Sequence, residues 1–283
     1  QFLEREFPEA VMISEWGRPD RSLLAGFHMD FLLHNGDSHY LDLFRTETPY
    51  FSREGKGDVR AFASAYTRSA ALTRGKGLIC LPSGSHDMAR MGGKLDLAEQ
   101  KIAFAFLLSM PGAPFIYNGD EFGMRQIPGL ISKEGSRSLR AGCRTPMQWD
   151  AGPNLGFSDG AAEDLYLPVE ADARHTVQAQ EPGENSMLSH VKRLIALRHA
   201  EPELQNYSPF AVYAARGRLF AYKRGSLLVA MNPGSGEETC QLDGAYIPLF
   251  TVGTPAMEGD TLHLPAQSFI VLKPKEKAAP AHA

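Results

Sequence analysis

The sequence has few cysteines, and their arrangement excludes two classes of protein. Only Cys80, Cys143 and Cys240 occur among 283 residues, so their number is odd and they are far apart. A disulfide-stapled secreted domain would carry more cysteines in pairs, and a structural zinc site would need closer spacing. The sequence therefore predicts separate reduced thiols and a cytoplasmic location.

Long apolar runs and clusters of positive charge are also missing. The longest uncharged apolar candidate, Ile102 to Met110, is about half of the roughly 20 residues that a membrane span needs. Lys and Arg number 29 against 33 Asp and Glu, which gives a net charge of −4 without a basic run. Nucleic-acid binding usually leaves a clustered basic footprint. We therefore expect neither a membrane span nor a nucleic-acid partner.

The chain begins at Gln1 rather than at a methionine, and its first residues look like the end of an amphipathic helix. We expect the true amino terminus to lie upstream, so any signal peptide would be outside this sequence.

Alternating strand-like and helix-like segments fill the first two thirds of the chain. Helices are predicted from Asp58 to Gly75, from a capping box at Asp96 to Met110, and from Ser186 to His199. Four short apolar runs read as buried strands, at 10–14, 26–33, 77–81 and 113–117. Strands separated by helices in this way predict right-handed βαβ units and a parallel sheet.

The pattern changes after the last of these helices. From Phe210 onward, short β-rich runs are separated by Gly, Asn and Pro turns, as in a small antiparallel β-sandwich. We predict an α/β domain over residues 1–205, a sandwich over 206–273 and a disordered tail over 274–283. A Gly- and Pro-rich stretch between Gly123 and Glu184 is long enough to predict a functional loop region.

Polar residues follow three of the four predicted strands. Glu15 follows the first, His86, Asp87 and Arg90 follow the third, and the fourth is followed by three candidates, Asn118, Asp120 and Glu121. In a (β/α) barrel, reactive groups lie at the carboxyl ends of the strands. Each residue alone also fits a solvated loop position, and Asp120 and Glu121 also fit a role in fixing their loop.

The order of these strings resembles the second half of an α-amylase-family enzyme of glycoside hydrolase family 13. The strings are SEWGRP, AGFHMDF, LPSGSHDMAR, PGAPFIYNGDEFGM and RTPMQWDAGPNLGFS. RTPMQW and the later YLPV are most similar to the oligo-1,6-glucosidase, α-glucosidase and trehalose synthase branch. The resemblance implies the carboxy-terminal half of a (β/α)8 TIM barrel, strands 5 to 8, followed by the sandwich.

The resemblance also implies roles for individual residues. It makes Glu15 the general acid/base, and it makes His86 and Asp87 the pair that binds sugar hydroxyls and stabilises the oxocarbenium-like transition state. Arg90, Arg144 and Trp16 are candidate substrate-binding residues. A structural ion pair remains an equal alternative for Arg144, and a packing role remains one for Trp16. The substrate implied is an α-glucan oligosaccharide, and we expect no cofactor and no metal ion.

Two departures limit what the resemblance implies. Ser85 stands where the family usually has Asn before the histidine–aspartate pair. The family's nucleophilic aspartate, within a Gly-x-Arg-x-Asp-like string, does not precede Glu15. We therefore expect this chain to be part of a retaining α-glucoside hydrolase, nearly inert without the missing amino-terminal half of the barrel. A glucosyltransferase or isomerase such as a trehalose synthase, and a non-catalytic carbohydrate-binding remnant, remain alternatives.

Overall fold

A computed structural model describes residues 2–33, 38–73, 75–135 and 140–275 of the chain. Within these residues, no helix has both the length and the apolar character needed to cross a membrane. Most of the predicted disordered tail lies outside the described residues. Its first two residues are ordered, because Pro274 ends the last strand and the Lys275 amide donates a hydrogen bond to the Ala245 carbonyl.

The first part of the fold is a four-stranded sheet in which every neighbouring pair is parallel. Its strands occur in chain order: β1 (Ile13–Ser14), β2 (Met29–Phe31), β3 (Leu78–Pro82) and β4 (Ala113–Phe115). The predicted parallel sheet is confirmed, with strands shorter than their apolar runs. Only β3 is buried throughout, as a strand covered on both faces should be.

Eight α-helices are described, and the longest three are those that the sequence predicts. They are α1 (Phe2–Glu6), α2 (Pro19–Ser22), α3 (Leu41–Phe44), α4 (Val59–Thr73), α5 (Leu97–Ser109), α6 (Arg140–Cys143), α7 (Val177–Gln180) and α8 (Met187–Ala200). The capping box at the start of α5 is present. The Asp96 carboxylate accepts two amides of the first turn, and Glu99 accepts the Asp96 amide.

The region between Gly123 and Glu184 contains little regular structure. Besides α6 and α7 it holds only two short 3₁₀ turns within the described residues, Pro153–Gly156 and Ala162–Asp164. Three further 3₁₀ turns lie elsewhere, at Met91–Gly93, Asp120–Phe122 and Pro202–Leu204. The predicted loop region is therefore a folded segment with little helix.

The carboxy-terminal part consists of two antiparallel sheets, as predicted. Five strands pair in the order β5-β6-β7-β12-β9 and three in the order β10-β11-β8. Their bounds are β5 (Phe210–Arg216), β6 (Leu219–Arg224), β7 (Leu227–Asn232), β8 (Glu238–Gln241), β9 (Tyr246–Val252), β10 (Ala256–Glu258), β11 (Thr261–Leu264) and β12 (Ser268–Pro274). A small apolar core, which includes Leu219, Leu228 and Leu262, fills this sandwich.

One apolar core joins the two parts of the chain. Phe62 of α4 and Phe106 of α5 pack edge to face, and Phe106 also contacts Phe220 of β6, with ring centroids 6.3 Å apart. A buried arginine adds polar contacts close to this junction. Arg198 of α8 donates to the carbonyls of Leu108, Met110 and Gly112 at 2.8 Å each, at the end of α5 and in the turn that leads to β4. These bonds fix α8 against the end of α5, and the contact of Phe106 with Phe220 joins the sandwich to the same helix.

His190 is a buried titratable group at this junction. It is 2% exposed, its Nε2 lies 2.9 Å from the Lys101 carbonyl of α5, and its ring packs on Phe250 of β9. A carbonyl can only accept, so Nε2 carries the proton of the neutral ring. Burial disfavours the charged form and lowers the pKa of His190 to about 4 from its usual 6.5.

The lowered pKa predicts a pH dependence of stability. Because the folded-state pKa lies below the unfolded-state pKa, the contribution is fully present above pH 6.5 and is lost as pH falls towards 4. It amounts to roughly 3 kcal/mol at its limit. His190→Gln, whose amide can donate to the same carbonyl, should lack this component in urea unfolding at pH 7, 5.5 and 4.5. His199→Gln is the control, because it changes an exposed histidine of the same helix. Its stability should follow the wild-type pH curve.

Candidate active site

The structure brings residues from all four parallel strands to one cleft. Its volume is about 260 Å³. Glu15, directly after β1, and His86, after β3, both line it. Aromatic side chains of β2 and of β4 with its exit form its apolar wall, Phe31, Phe115 and Tyr117. Phe31 and Phe115 meet edge to face, with centroids 4.7 Å apart. An exposed carboxylate and an imidazole therefore share a partly apolar cleft large enough for a sugar ring.

Asp87 lies beside this cleft rather than among the residues that line it. Its Oδ2 is 3.5 Å from His86 Nε2, so the two side chains are neighbours as predicted from their adjacency. Its Oδ1 lies 2.9 Å from Arg144 Nη2 and 3.2 Å from Arg140 Nη1. The Asp87 side chain is one third exposed, and water screens these ion pairs. Their main effect is on the direction in which the carboxylate points.

Arg144 forms a structural ion pair, which is one of the two roles that its sequence context left open. Besides the ion pair with Asp87, its Nε donates to the His86 carbonyl at 2.7 Å. One guanidinium thus holds both the backbone and the side chain of the histidine–aspartate pair. Arg140, which no pattern in the sequence marks, adds a second cation to the same carboxylate oxygen. A contact of Arg144 with substrate stays a prediction.

Arg90 differs from its prediction as a substrate-binding residue. Its side chain is fully buried and therefore does not reach the cleft. Nη1 donates to Asp120 Oδ1 at 2.9 Å and to the Asn118 carbonyl at 2.7 Å, and the guanidinium lies 4.5 Å from the Tyr117 ring centroid. The prediction used only the position of Arg90 after a strand, and that position does not distinguish a residue that lines the cleft from one that is buried beside it. Arg90 ties the loop after β3 to the loop after β4.

Asp120 is the centre of this connection. It is 1% exposed, and its Oδ2 accepts the Ser83 hydroxyl at 2.8 Å. Burial raises the pKa of Asp120, while Arg90 and the hydroxyl oppose that effect. Gly84 is required beside it, because a Cβ there would lie 2.6 Å from Asp120 Oδ2.

Two further residues hold these loops. Glu121 accepts the Gly119 amide at 2.7 Å, and burial raises the pKa of its carboxyl. Arg45, which follows α3, donates to the Ala89 carbonyl at 2.6 Å and also to the Ser83 carbonyl. It thereby joins the two ends of the segment that carries His86. Nothing in its sequence context signals this role, since the contact spans some 40 residues.

Trp16 lies beside Glu15, and its side chain is 55% exposed. Its backbone amide donates to Asp30 Oδ1 at 3.1 Å, so its main chain is fixed while its indole is open to solvent. Its role as a sugar platform stays a prediction.

One group of side chains in the described part of the chain has the composition of a cation site. The ligand atoms of Glu170, Asp172 and His175 lie within 4.8 Å of one another. Arg174 already pairs with Asp172, at 2.6 Å, and lowers the pKa of that carboxyl. His175 Nδ1 lies 3.2 Å from Glu170 Oε2. These contacts account for the cluster as an ion-pair network, and the expectation of no metal ion stays a prediction.

Comparison with known proteins identifies relatives along most of the chain. Residues 29–207 match the family model for the alpha-amylase catalytic domain, so Glu15 lies before the matched stretch. The trehalose synthase/amylase TreS of Mycolicibacterium smegmatis is 38% identical over 108 residues, 36% of this chain and 17% of the relative. A probable alpha-glucosidase of Rhizobium meliloti is 31% identical over 253 residues, 81% of this chain and 42% of the relative.

Solved structures show the same fold at lower identity. The alpha-amylase of H. orenii has a TM-score of 0.74 at 22% identity, covering 97% of this chain and 55% of the amylase. A variant of the trehalulose synthase MutB in complex with Tris has a TM-score of 0.74 at 20% identity, covering 94% of this chain and 56% of MutB. The chain thus spans about half the length of these solved proteins. It spans less than half the length of the two relatives found by sequence. Since the family model covers well over half of its residues, the chain belongs to the α-amylase family, glycoside hydrolase family 13.

Proposed function

We propose that this chain is the part of a retaining α-glucoside hydrolase that carries the general acid/base, Glu15, acting on maltodextrin- or isomaltose-type oligosaccharides. The observation that supports it most directly is the shared cleft, which holds Glu15 and His86 between aromatic residues. The family membership supports the reaction class, and the relatives include proteins named alpha-glucosidase and oligo-1,6-glucosidase.

In the proposed mechanism, the Glu15 carboxyl donates its proton to the glycosidic oxygen as the bond to the anomeric carbon breaks. His86, which lines the cleft, donates a hydrogen bond to a hydroxyl of the sugar that becomes positively charged. Asp87, held by the two arginines, accepts from a neighbouring hydroxyl of the same ring. These hydrogen bonds strengthen as charge develops on the ring, so they stabilise the transition state more than the bound substrate.

Retention of configuration requires a second carboxylate as nucleophile, about 5–5.5 Å from the acid/base. Of the described residues that line the cleft, Glu15 is the only carboxylate. We therefore assign the nucleophile to polypeptide outside this sequence, an amino-terminal half-barrel that completes the site.

The sheet edges support this assignment. Within the described residues, β1 pairs only with β2 and β4 only with β3, so both ends of the sheet are open. Apolar side chains near these ends are exposed, with Ile13 at 43% and Ile116 at 37%. Open edges of this kind are normally paired or covered. Four additional parallel strands would pair both edges and close an eight-stranded barrel.

The acid/base assignment predicts how a substitution of Glu15 changes turnover. In the enzyme completed with its nucleophile-bearing half, Glu15→Gln should lower kcat on maltose by roughly 10²–10⁴-fold, because the leaving sugar needs a proton. The fluoride of α-glucosyl fluoride leaves without needing a proton. With this substrate, glycosylation of the enzyme should therefore be much less affected in a single-turnover measurement. The isolated chain should show no detectable turnover of either substrate.

The control is Glu9→Gln, which changes another exposed glutamate that does not line the cleft and should leave both rates unchanged. Turnover of maltose by Glu15→Gln at the unsubstituted rate would refute the acid/base role. Sugar binding by the isolated chain that is unaffected by Glu15→Gln would favour the non-catalytic alternative.

A glucosyl transfer or isomerisation is the second candidate, because the relatives with 36–38% identity are named trehalose synthase/amylase. Hydrolysis and transfer share the glycosyl intermediate and differ only in the acceptor. With maltose, the hydrolase should release glucose, initially as the α-anomer in proton NMR. Trehalose as the main product, with little free glucose, would instead identify an isomerase.

A further inference from the structure

We propose that Asp30 is the positioning residue for Glu15, and that it fixes the acid/base through the backbone that follows it. This inference rests on the proposed function of Glu15. Asp30 lies in the middle of β2 and is fully buried. It does not line the cleft, and no motif in the sequence marked it for function.

Four hydrogen bonds end on the Asp30 carboxylate. Oδ1 accepts the amides of Trp16 at 3.1 Å and Gly17 at 3.3 Å. Oδ2 accepts the Arg18 amide at 2.9 Å and the Ser22 hydroxyl at 2.8 Å. Three of the four donors are consecutive backbone amides, beginning at the residue directly after Glu15. A buried carboxylate in such an arrangement is held by strong, charge-assisted hydrogen bonds.

The local sequence permits this arrangement because of one glycine. Gly17 has φ +73°, in the left-handed region that other residues rarely adopt. This conformation turns the chain so that successive amides converge on a single anion, as in anion-binding backbone nests. The segment from Trp16 to Arg18 is thus a built receptor for the Asp30 side chain.

The sheet fixes the other side of Glu15. In the parallel register, Ser14 of β1 pairs with Asp30 itself. The residue before Glu15 is held by the backbone around Asp30, and the residue after it is held by the Asp30 side chain. The Glu15 backbone therefore has little freedom, and the carboxyl is directed by side-chain torsions alone. Positioning a catalytic group in this way contributes to rate, because small displacements at the reacting centre are costly.

Asp30→Asn tests the inference with almost no change in volume. An amide offers one acceptor oxygen in place of two, so its NH₂ group must face either the Arg18 amide or the pair formed by Trp16 and Gly17. Hydrogen exchange of the backbone amides of residues 16–18, measured by NMR on the whole chain, should accelerate at least tenfold. Ser22→Ala removes one donor and leaves the three amide bonds, so it should accelerate the same amides less than threefold.

Asp120→Asn is the matched control, since it changes another fully buried carboxylate that accepts hydrogen bonds from a neighbouring loop. Its hydrogen bonds reach the loop after β3, so exchange should accelerate there and not at residues 16–18. Unchanged exchange at 16–18 in Asp30→Asn would overturn the inference. Equal acceleration along the whole chain, with the same pattern in Asp120→Asn, would reduce Asp30 to a general stabilising residue and would also overturn it.

Trp16 gives a second signature that a merely structural role would not produce. The chain has two tryptophans, so Trp149→Phe leaves Trp16 as the only indole. In that background, Asp30→Asn should lower the fluorescence anisotropy of Trp16 at 25 °C, well below the thermal midpoint, and Asp120→Asn should not. Equal anisotropy in the presence and absence of the Asp30 carboxylate would contradict the inference.

The consequence for catalysis is measured in the completed enzyme. Asp30→Asn should lower kcat on maltose about tenfold or more with a much smaller change in KM, because His86 and Asp87, the proposed partners of the sugar hydroxyls, make no contact with Asp30. An unchanged kcat would overturn the positioning role. Failure of the proposed function would look different: Glu15→Gln would keep full activity, while the exchange and anisotropy effects of Asp30→Asn would remain.

Discussion

The cleft depends on carboxylates that are buried at the carboxyl end of the sheet and satisfied by hydrogen-bond donors of the neighbouring loops. Asp120 binds Ser83 and Arg90 and so holds the segment with His86. Asp30 binds the amides that follow Glu15. A buried anion without such partners would be strongly unfavourable, so each loop has one conformation in which its anchor is satisfied. Strand order alone places the loops near each other, and these bonds determine their shape.

Local sequence predicted the elements that have local causes. The start of α5 follows from Asp96 and Glu99, whose capping box forms within one turn, and its end follows from Pro111 and Gly112. The bounds of the strands were less predictable. The run 10–14 reads as one strand, yet only Ile13 and Ser14 pair, and Val11 is 57% exposed. The length of β1 is set by how many of its residues find a partner in β2, which lies 16 residues further along the chain. The local sequence of β1 does not encode this number.

The candidate site was predictable where a motif carried it and not where a distant contact did. Glu15 and His86 followed from their strings, and the structure places them in one cleft. Asp30 occurs inside an apolar run, where a single polar residue has no pattern to mark it. Arg45 acts across some 40 residues, and Arg90 was predicted to contact substrate only because it follows the same strand as His86. Side-chain direction at a strand exit depends on backbone geometry that adjacency does not encode.

The junction between the sheet and the sandwich has a consequence for how such chains can be rearranged. Arg224 of β6 is fully buried and donates to the carbonyls of Ser109 and Gln205, and Tyr222 OH lies 2.7 Å from Ser109 Oγ. The sandwich therefore supplies hydrogen-bond partners to the last turn of the helix that leads into β4. A carboxy-terminal domain grafted from another relative would have to bring equivalents of both side chains. Exchange of the sandwich without these two side chains would leave buried polar groups at the end of α5 without their partners.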